Sequence, residues 1–227
     1  MNLKIKIFPF IVVVMALALF TRLGFWQVDR YSEKLEMESQ YNTNSQMLIT
    51  QDLISGDPGL LNYQNVELSG HWVNDDGFFL NLKKHYSKSG LQVVTPLLLD
   101  SGNKVMVNRG WIEHSPGDKD DPIFKTTDNK VSIKGFIRKM SNPYFMTNVS
   151  ESKRKMFVDI EKLRSNDNSL LSVVVFQTNN TNDGLIRDWQ SPEFKPTMHL
   201  GYSIMWFAFA LILLISSLYI QFKQEDK

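Results

Sequence analysis

The chain has 227 residues with 25 basic and 24 acidic side chains, a formal net charge of +1, and no cysteine. So even a balance supplies no field to attract nucleic acid or to fasten the protein to an anionic surface, and no nucleic-acid partner is expected. Without cysteine there is no disulfide, no thiol catalysis and no thiolate metal site, a composition compatible with a bacterial periplasm.

A helix needs about 20 mostly apolar residues to cross a bilayer core. The run from Ile7 to Leu23 is broken only by Pro9, Thr21 and Arg22, and Pro9 falls in the first turn, where a missing N–H is harmless. Lys4, Lys6 and the small-x-small triplet Ala16-Leu17-Ala18 also have the form of a cleaved signal peptide. Leu19 and Phe20, however, continue the apolar run where a cleavable segment turns polar, so the reading is an uncleaved span at 7–25 behind a cytoplasmic 1–6. The start carries no Arg/Ser-rich presequence, which points to a bacterial protein. Val28, Tyr31, Leu35 and Met37 then recur at helical spacing among charges. They predict an amphipathic stalk over 26–54 that ends before the turn cluster Ser55-Gly56-Asp57-Pro58-Gly59.

From there the period changes to two. Val66, Leu68 and Trp72 alternate with Asn65, Glu67 and His71, and Phe78–Leu82, Leu91–Leu99, Val105–Ile112, Val131–Ile137 and Leu170–Phe176 are further β-rich runs. Asp100-Ser101-Gly102-Asn103 reads as a hairpin turn, Asp159–Arg164 as a short helix, and the polar stretch Glu113–Lys130 as a long exposed loop. A β-rich α+β domain over 55–198, an antiparallel sheet or partial barrel, follows. Leu200–Phe222 has no charge and predicts a second span at 199–221, leaving 222–227 outside it. Lys4, Lys6, Lys223 and Lys227 favour cytoplasmic termini, against Arg22, Arg30 and Lys34 on the other side. The fold class is a membrane protein with two terminal transmembrane helices, crossing a bacterial inner membrane twice around an extracytoplasmic, periplasmic domain.

Chemistry is sparse. No phosphate-cradling loop, paired-histidine metalloprotease motif or nucleophile elbow occurs, and His71, His85, His114 and His199 are scattered without ligand spacing. Three constellations stand out. Leu23, Trp26, Gln27, Arg30 and Lys34 fall on one stripe where the first helix leaves the bilayer. They suit either an interfacial Trp with snorkelling cations or a docking face for the second helix or the domain. In Val105-Met106-Val107-Asn108-Arg109-Gly110-Trp111, alternation puts Arg109 on the inward face with Val105, Val107 and Trp111. A buried guanidinium needs a carboxylate, with Glu113 a candidate, or it binds an anionic group of a ligand. In Met198-His199-Leu200-Gly201-Tyr202-Ser203-Ile204-Met205-Trp206, His199 heads the second span with Tyr202, Ser203 and Trp206 at i+3, i+4 and i+7. An aromatic belt with an interfacial histidine accounts for this; so does an imidazole poised as an axial ligand to haem iron beside Tyr202 and Trp206.

At these places the sequence resembles the Surfeit locus (Shy-type) family of cytochrome c oxidase assembly factors, over nearly the whole chain. Leu23-Gly24-Phe25-Trp26-Gln27-Val28-Asp29-Arg30 with Lys34 is similar to the family signature ending the first helix, and Val107-Asn108-Arg109-Gly110-Trp111 to its internal motif. Tyr63, Val66, Gly70 and Gly90 to Leu97 follow in family order, and His199 to Phe207 resembles the second-helix signature. The sequence departs from the family wording at Lys195-Pro196-Thr197-Met198 and at Ser203, where Ala is common. The resemblance implies a non-catalytic factor that helps place haem a in subunit I of a haem-copper oxidase. It implies subunit I and the haem-a-synthesis machinery as partners beside membrane lipid, and a haem-binding role for His199. The rival is a structural or sensory envelope protein in which the motifs only pack; a further alternative is an enzyme built from scattered carboxylates.

The topology is testable with reporter fusions. A reporter after Lys227 should be active only in the cytoplasm and one inserted in Glu113–Lys130 only outside; a cytoplasmic signal from the loop, or a mature N-terminus near Leu19, contradicts it.

Overall fold

The computed structural model describes residues 7–51, 54, 62–140 and 153–225. In chain order the elements are α1 (Ile7–Asn44), β1 (Leu48–Thr50), β2 (Asn65–Trp72), β3 (Phe78–His85), β4 (Lys88–Leu99), β5 (Lys104–Glu113), β6 (Val131–Arg138), β7 (Arg154–Lys155), α2 (Ile160–Asn166), β8 (Leu170–Gln177) and α3 (Pro196–Glu225). They divide into two compact units, Met1–Gln40 with Pro192–Lys227, and Tyr41–Ser191.

In the first unit α1 and α3 are both long and apolar enough to cross a membrane. At 1.5 Å per residue the 38 residues of α1 reach about 57 Å, well past a hydrocarbon core of about 30 Å. Phe8, Met15 and Leu19 on α1 and Ile204, Leu211 and Ile215 on α3 remain exposed, as apolar side chains do when lipid replaces water. The two helices touch where the sequence thins: Gly24 leaves room for the Phe207 ring, which would lie 2.7 Å from any Cβ placed there. Small residues are what allow membrane helices to approach this closely. Phe20 stacks on Trp206 at 5.7 Å, and Phe25 meets Phe207 edge-on at 5.3 Å.

The stalk helix ends at Asn44, and β1 occupies part of the stretch read as stalk; the turn cluster Ser55–Gly59 lies outside the described residues. Asn44 Nδ2 donates to the Asn62 carbonyl at 3.0 Å, and Tyr41 meets Tyr63 edge-on.

In the second unit β2, β6, β8, β5 and β4 form a closed five-stranded barrel, because β4 pairs with both β5 and β2. Alternation on β2 buries Val66, Leu68 and Trp72 and leaves Glu67 and His71 outside. With Leu97, Val105, Val107, Ile133, Ile137 and Val175 they fill the barrel, as expected when so few strands close on themselves. A second core lies on the other face of the sheet, where Val158 and Ile160, at the start of α2, join Phe78, Val94, Met106 and Val174. Asp159 caps α2, its carboxylate accepting from the Lys162 amide at 3.2 Å.

The sheet is mixed rather than antiparallel. β5 and β8 run parallel, Val107 beside Val175 and Asn108 beside Phe176, with the long connection through 114–169 serving as the crossover such a pair needs. Residue alternation reports which face is buried, not strand direction. A second hairpin joins β3 to β4 through Tyr86 and Ser87 at φ 44° and 67°. Two left-handed residues give the twist a tight hairpin prefers, without the Asn-Gly pair that would have marked it.

Candidate functional site: a helix-mouth histidine and a buried arginine

Pro196 is the first residue of α3, a position that suits its fixed φ and missing N–H, so His199 falls in the first turn. Its Nδ1 lies 2.8 Å from the Gln27 side-chain oxygen on α1. Gln27 is buried, and a buried amide without a partner is costly, so this bond satisfies it. Ser203, also buried, instead donates back to the Leu200 carbonyl at 3.0 Å. Trp206 is half-buried against Phe20 and Phe209. Tyr202 projects outward and is 44% exposed, so of the three aromatic and polar neighbours expected beside His199 it alone lies off the packed face.

On α1 the predicted stripe divides. Gly24 and Gln27 face α3, whereas Trp26 is 48% exposed with the Arg30 guanidinium 5.8 Å from its ring centre, and Arg30 also pairs with Glu33. Gln27 on this stripe meets α3, beside Gly24 and Phe20, while Arg30 packs on Trp26.

In the other unit Arg109 is 2% exposed and sits on a β-bulge. Val94 pairs with Asn108 but Val93 with Gly110, so Arg109 is the extra residue, and Gly110 takes φ 144°. The bulge shifts the alternation: Trp111 pairs with Gln92 and so shares the Asn108 face, not that of Arg109. Glu113 goes with Trp111 and pairs with Lys88 at 2.8 Å. The carboxylate that Arg109 does meet is Asp183, at 3.5 Å. Asp183 also receives Arg187 at 2.5 Å and the Thr181 hydroxyl at 3.0 Å. The Arg109 guanidinium lies 4.4 Å from the Trp72 ring centre and 5.0 Å from that of Phe124, and donates to the Lys125 carbonyl. Two guanidiniums thus share one carboxylate, and Nε of both Arg109 and Arg187 has no hydrogen-bond partner among the described residues.

Burial lowers the Arg109 pKa, opposed by Asp183. Burial pushes the Asp183 carboxyl up, but the Arg187 hydrogen bond and charge, with the Leu185 amide and the Thr181 hydroxyl, hold it below its ordinary value. The rest of the motif has packing duties. Asn108 donates to the Gln92 side chain at 3.0 Å, and Gly110 admits the Ile186 carbonyl, 2.8 Å from any Cβ built there. Trp111 exchanges backbone hydrogen bonds with Ile186 at 2.8 Å. Together Arg109, Gly110 and Trp111 hold the segment Thr181–Arg187 and the loop around Lys125 on the barrel. Among the described residues no three metal-ligating side chains converge.

The SURF1 family model matches residues 14–211, from within α1 to within α3. The chain belongs to the SURF1 family. A SURF1-like protein of Rickettsia bellii is 23% identical over 89% of this chain and 86% of its own length. One of Rickettsia conorii is 25% identical over 85% and 82%. The cytochrome oxidase assembly protein SHY1 of Saccharomyces cerevisiae is 31% identical over 98 residues, 40% of this chain and 24% of that protein. The SURF1 match thus includes both Gln27 and His199 as well as the Arg109 cluster. Asp183 and Arg187 complete that cluster, and no sequence signal ties them to a strand so far upstream.

The charge count ranks two substitutions. Asp183→Asn strands two buried guanidiniums and should cost about 3–5 kcal/mol. Arg109→Met leaves a one-to-one Asp183–Arg187 pair and should cost less, about 1–2 kcal/mol, through lost stacking and hydrogen bonds. Asp183 titrates below its unfolded value, so its contribution is complete above about pH 4 and is lost as the pH falls further. Melting curves in mild detergent between neutral and acid pH check both; equal losses, or a greater one for Arg109→Met, contradict the assignment of Asp183 as the shared counter-ion.

Proposed function

We propose that this chain is a non-catalytic assembly factor for a haem-copper terminal oxidase that helps deliver haem a to subunit I, with His199 as an axial ligand during transfer. Family membership supports the assembly role, since the yeast relative named above is a cytochrome oxidase assembly protein. The observation that carries the ligand assignment is the state of His199. One ring nitrogen is engaged by Gln27, the other has no hydrogen bond among the described residues, and the ring is half-buried at the mouth of an apolar helix pair. A donor set of one imidazole beside aromatic side chains fits a large flat amphipathic cargo. Haem a is that cargo, supplying redox iron to the oxidase rather than chemistry to this protein. Tyr202 and Trp206 are the side chains proposed to flank it, and lipid covers the rest of the hydrophobic face.

The two candidate spans support a location in a membrane; in this proposal it is the inner membrane of a bacterium, with both termini cytoplasmic and the β-rich unit periplasmic. Subunit I and the machinery that makes haem a are its proposed partners. The Arg109 cluster belongs to stability in this reading, because its side chains are taken up by protein groups.

Coordination needs the imidazole nitrogen, whereas packing needs only its bulk. His199→Phe should therefore preserve abundance and insertion while haem absorbance of protein purified from a haem-a-producing host falls sharply. Wild-type protein without haem, or a His199→Phe variant with an unchanged spectrum, rejects the ligand role; normal oxidase in a deletion strain rejects the assembly role.

A further inference from the structure

We infer that Gln27 is a positioning residue that holds His199 in the Nδ1–H tautomer, so that Nε2 presents its lone pair to iron. The inference rests on the reading of His199 as a haem ligand and adds how the apo-protein prepares that ligand. A neutral imidazole carries one proton on one of its two nitrogens, and the hydrogen bond made by one nitrogen decides which is free to bind a metal. A side-chain carbonyl oxygen only accepts. Its 2.8 Å approach to Nδ1 therefore puts the proton there and leaves Nε2 bare.

The surroundings keep this choice from drifting. Gln27 is 9% exposed, so water competes poorly for its oxygen, and in an apolar setting the loss of the bond leaves a buried amide unsatisfied. Gly24, one turn earlier on α1, packs against Phe207 and sets the close approach of the two helices in this region. Ser203, the other buried polar side chain described near this contact, is committed to the Leu200 carbonyl and competes for neither nitrogen. An acceptor on the far nitrogen also raises the basicity of the ligating one, and removing such a partner typically lowers metal affinity roughly 10–100-fold.

The test reads the tautomer directly. In 15N-histidine-labelled apo-protein in detergent, at a pH where the imidazole is neutral, the His199 resonances are assigned by their loss in His199→Phe. They should report Nδ1–H in the wild type and Nε2–H, the form an unpartnered histidine favours in water, in Gln27→Leu. Titration with haem a should show affinity falling roughly 10–100-fold in Gln27→Leu and recovering in Gln27→Glu, whose carboxyl group accepts the same proton. Leu suits an apolar helix pair, so both variants are expected to insert. Wild-type protein that takes up no haem a removes the ligand reading and this inference together. Wild-type protein that binds haem a while Gln27→Leu keeps the same affinity, or a wild-type His199 in the Nε2–H form, overturns the inference alone.

Discussion

A polar side chain inside a pair of apolar helices must find a polar partner or bear the cost of desolvation, and the Gln27–His199 hydrogen bond meets that requirement. The bond couples two residues that belong to opposite ends of the chain. It forms because Gly24 has no side chain to hold Phe207 away, and because Phe20, Trp206 and Phe209 stack on one another further along the same interface. Among the described residues of the two helices in this unit, Gln27 and Ser203 are the buried polar side chains, and both lie near this mouth.

The β-rich unit depends on a different constraint. A five-stranded barrel offers little interior, and Val66, Leu68, Val105, Val107, Ile133 and Val175 occupy it. The loops must then be secured from outside, and the bulge at Arg109 turns one strand position into an anchor for two of them. Its guanidinium is sandwiched between Trp72 and Phe124 and reaches both the Lys125 carbonyl and Asp183. Arg187 binds the same carboxylate, and its hydrogen bond and charge, with the Leu185 amide and the Thr181 hydroxyl, hold the Asp183 pKa below its ordinary value against the cost of burial. In this arrangement the motif attaches loops to the barrel.

Much of this was legible in the sequence, for physical reasons. The spans declare themselves by length and lack of charge, and the strands by alternation, since β2 buries every second residue. The short helix read at Asp159–Arg164 is α2, which Asp159 caps. The parallel pairing of β5 with β8 was not legible, because alternation is blind to direction. Nor was the displacement of Trp111 to the face opposite Arg109, because one bulged residue inverts every assignment after it. At the helix mouth the sequence supplied His199 and Gln27 on separate lists. Their contact depends on helix rotation, and the same rotation turns Tyr202 and Trp26 outward.

The central claim is that α1 and α3 pair through the Gly24, Gln27 and His199 faces, and a cysteine-free chain makes it directly measurable. Cysteines introduced at Gly24 and Phe207 should be joined by a short thiol cross-linker in membranes. Cysteines at Leu19 and Leu211, on the exposed faces of the same helices, should not be joined within one chain. Efficient cross-linking of the first pair alone is the result this account predicts; cross-linking of the second pair instead, or of neither, would contradict it.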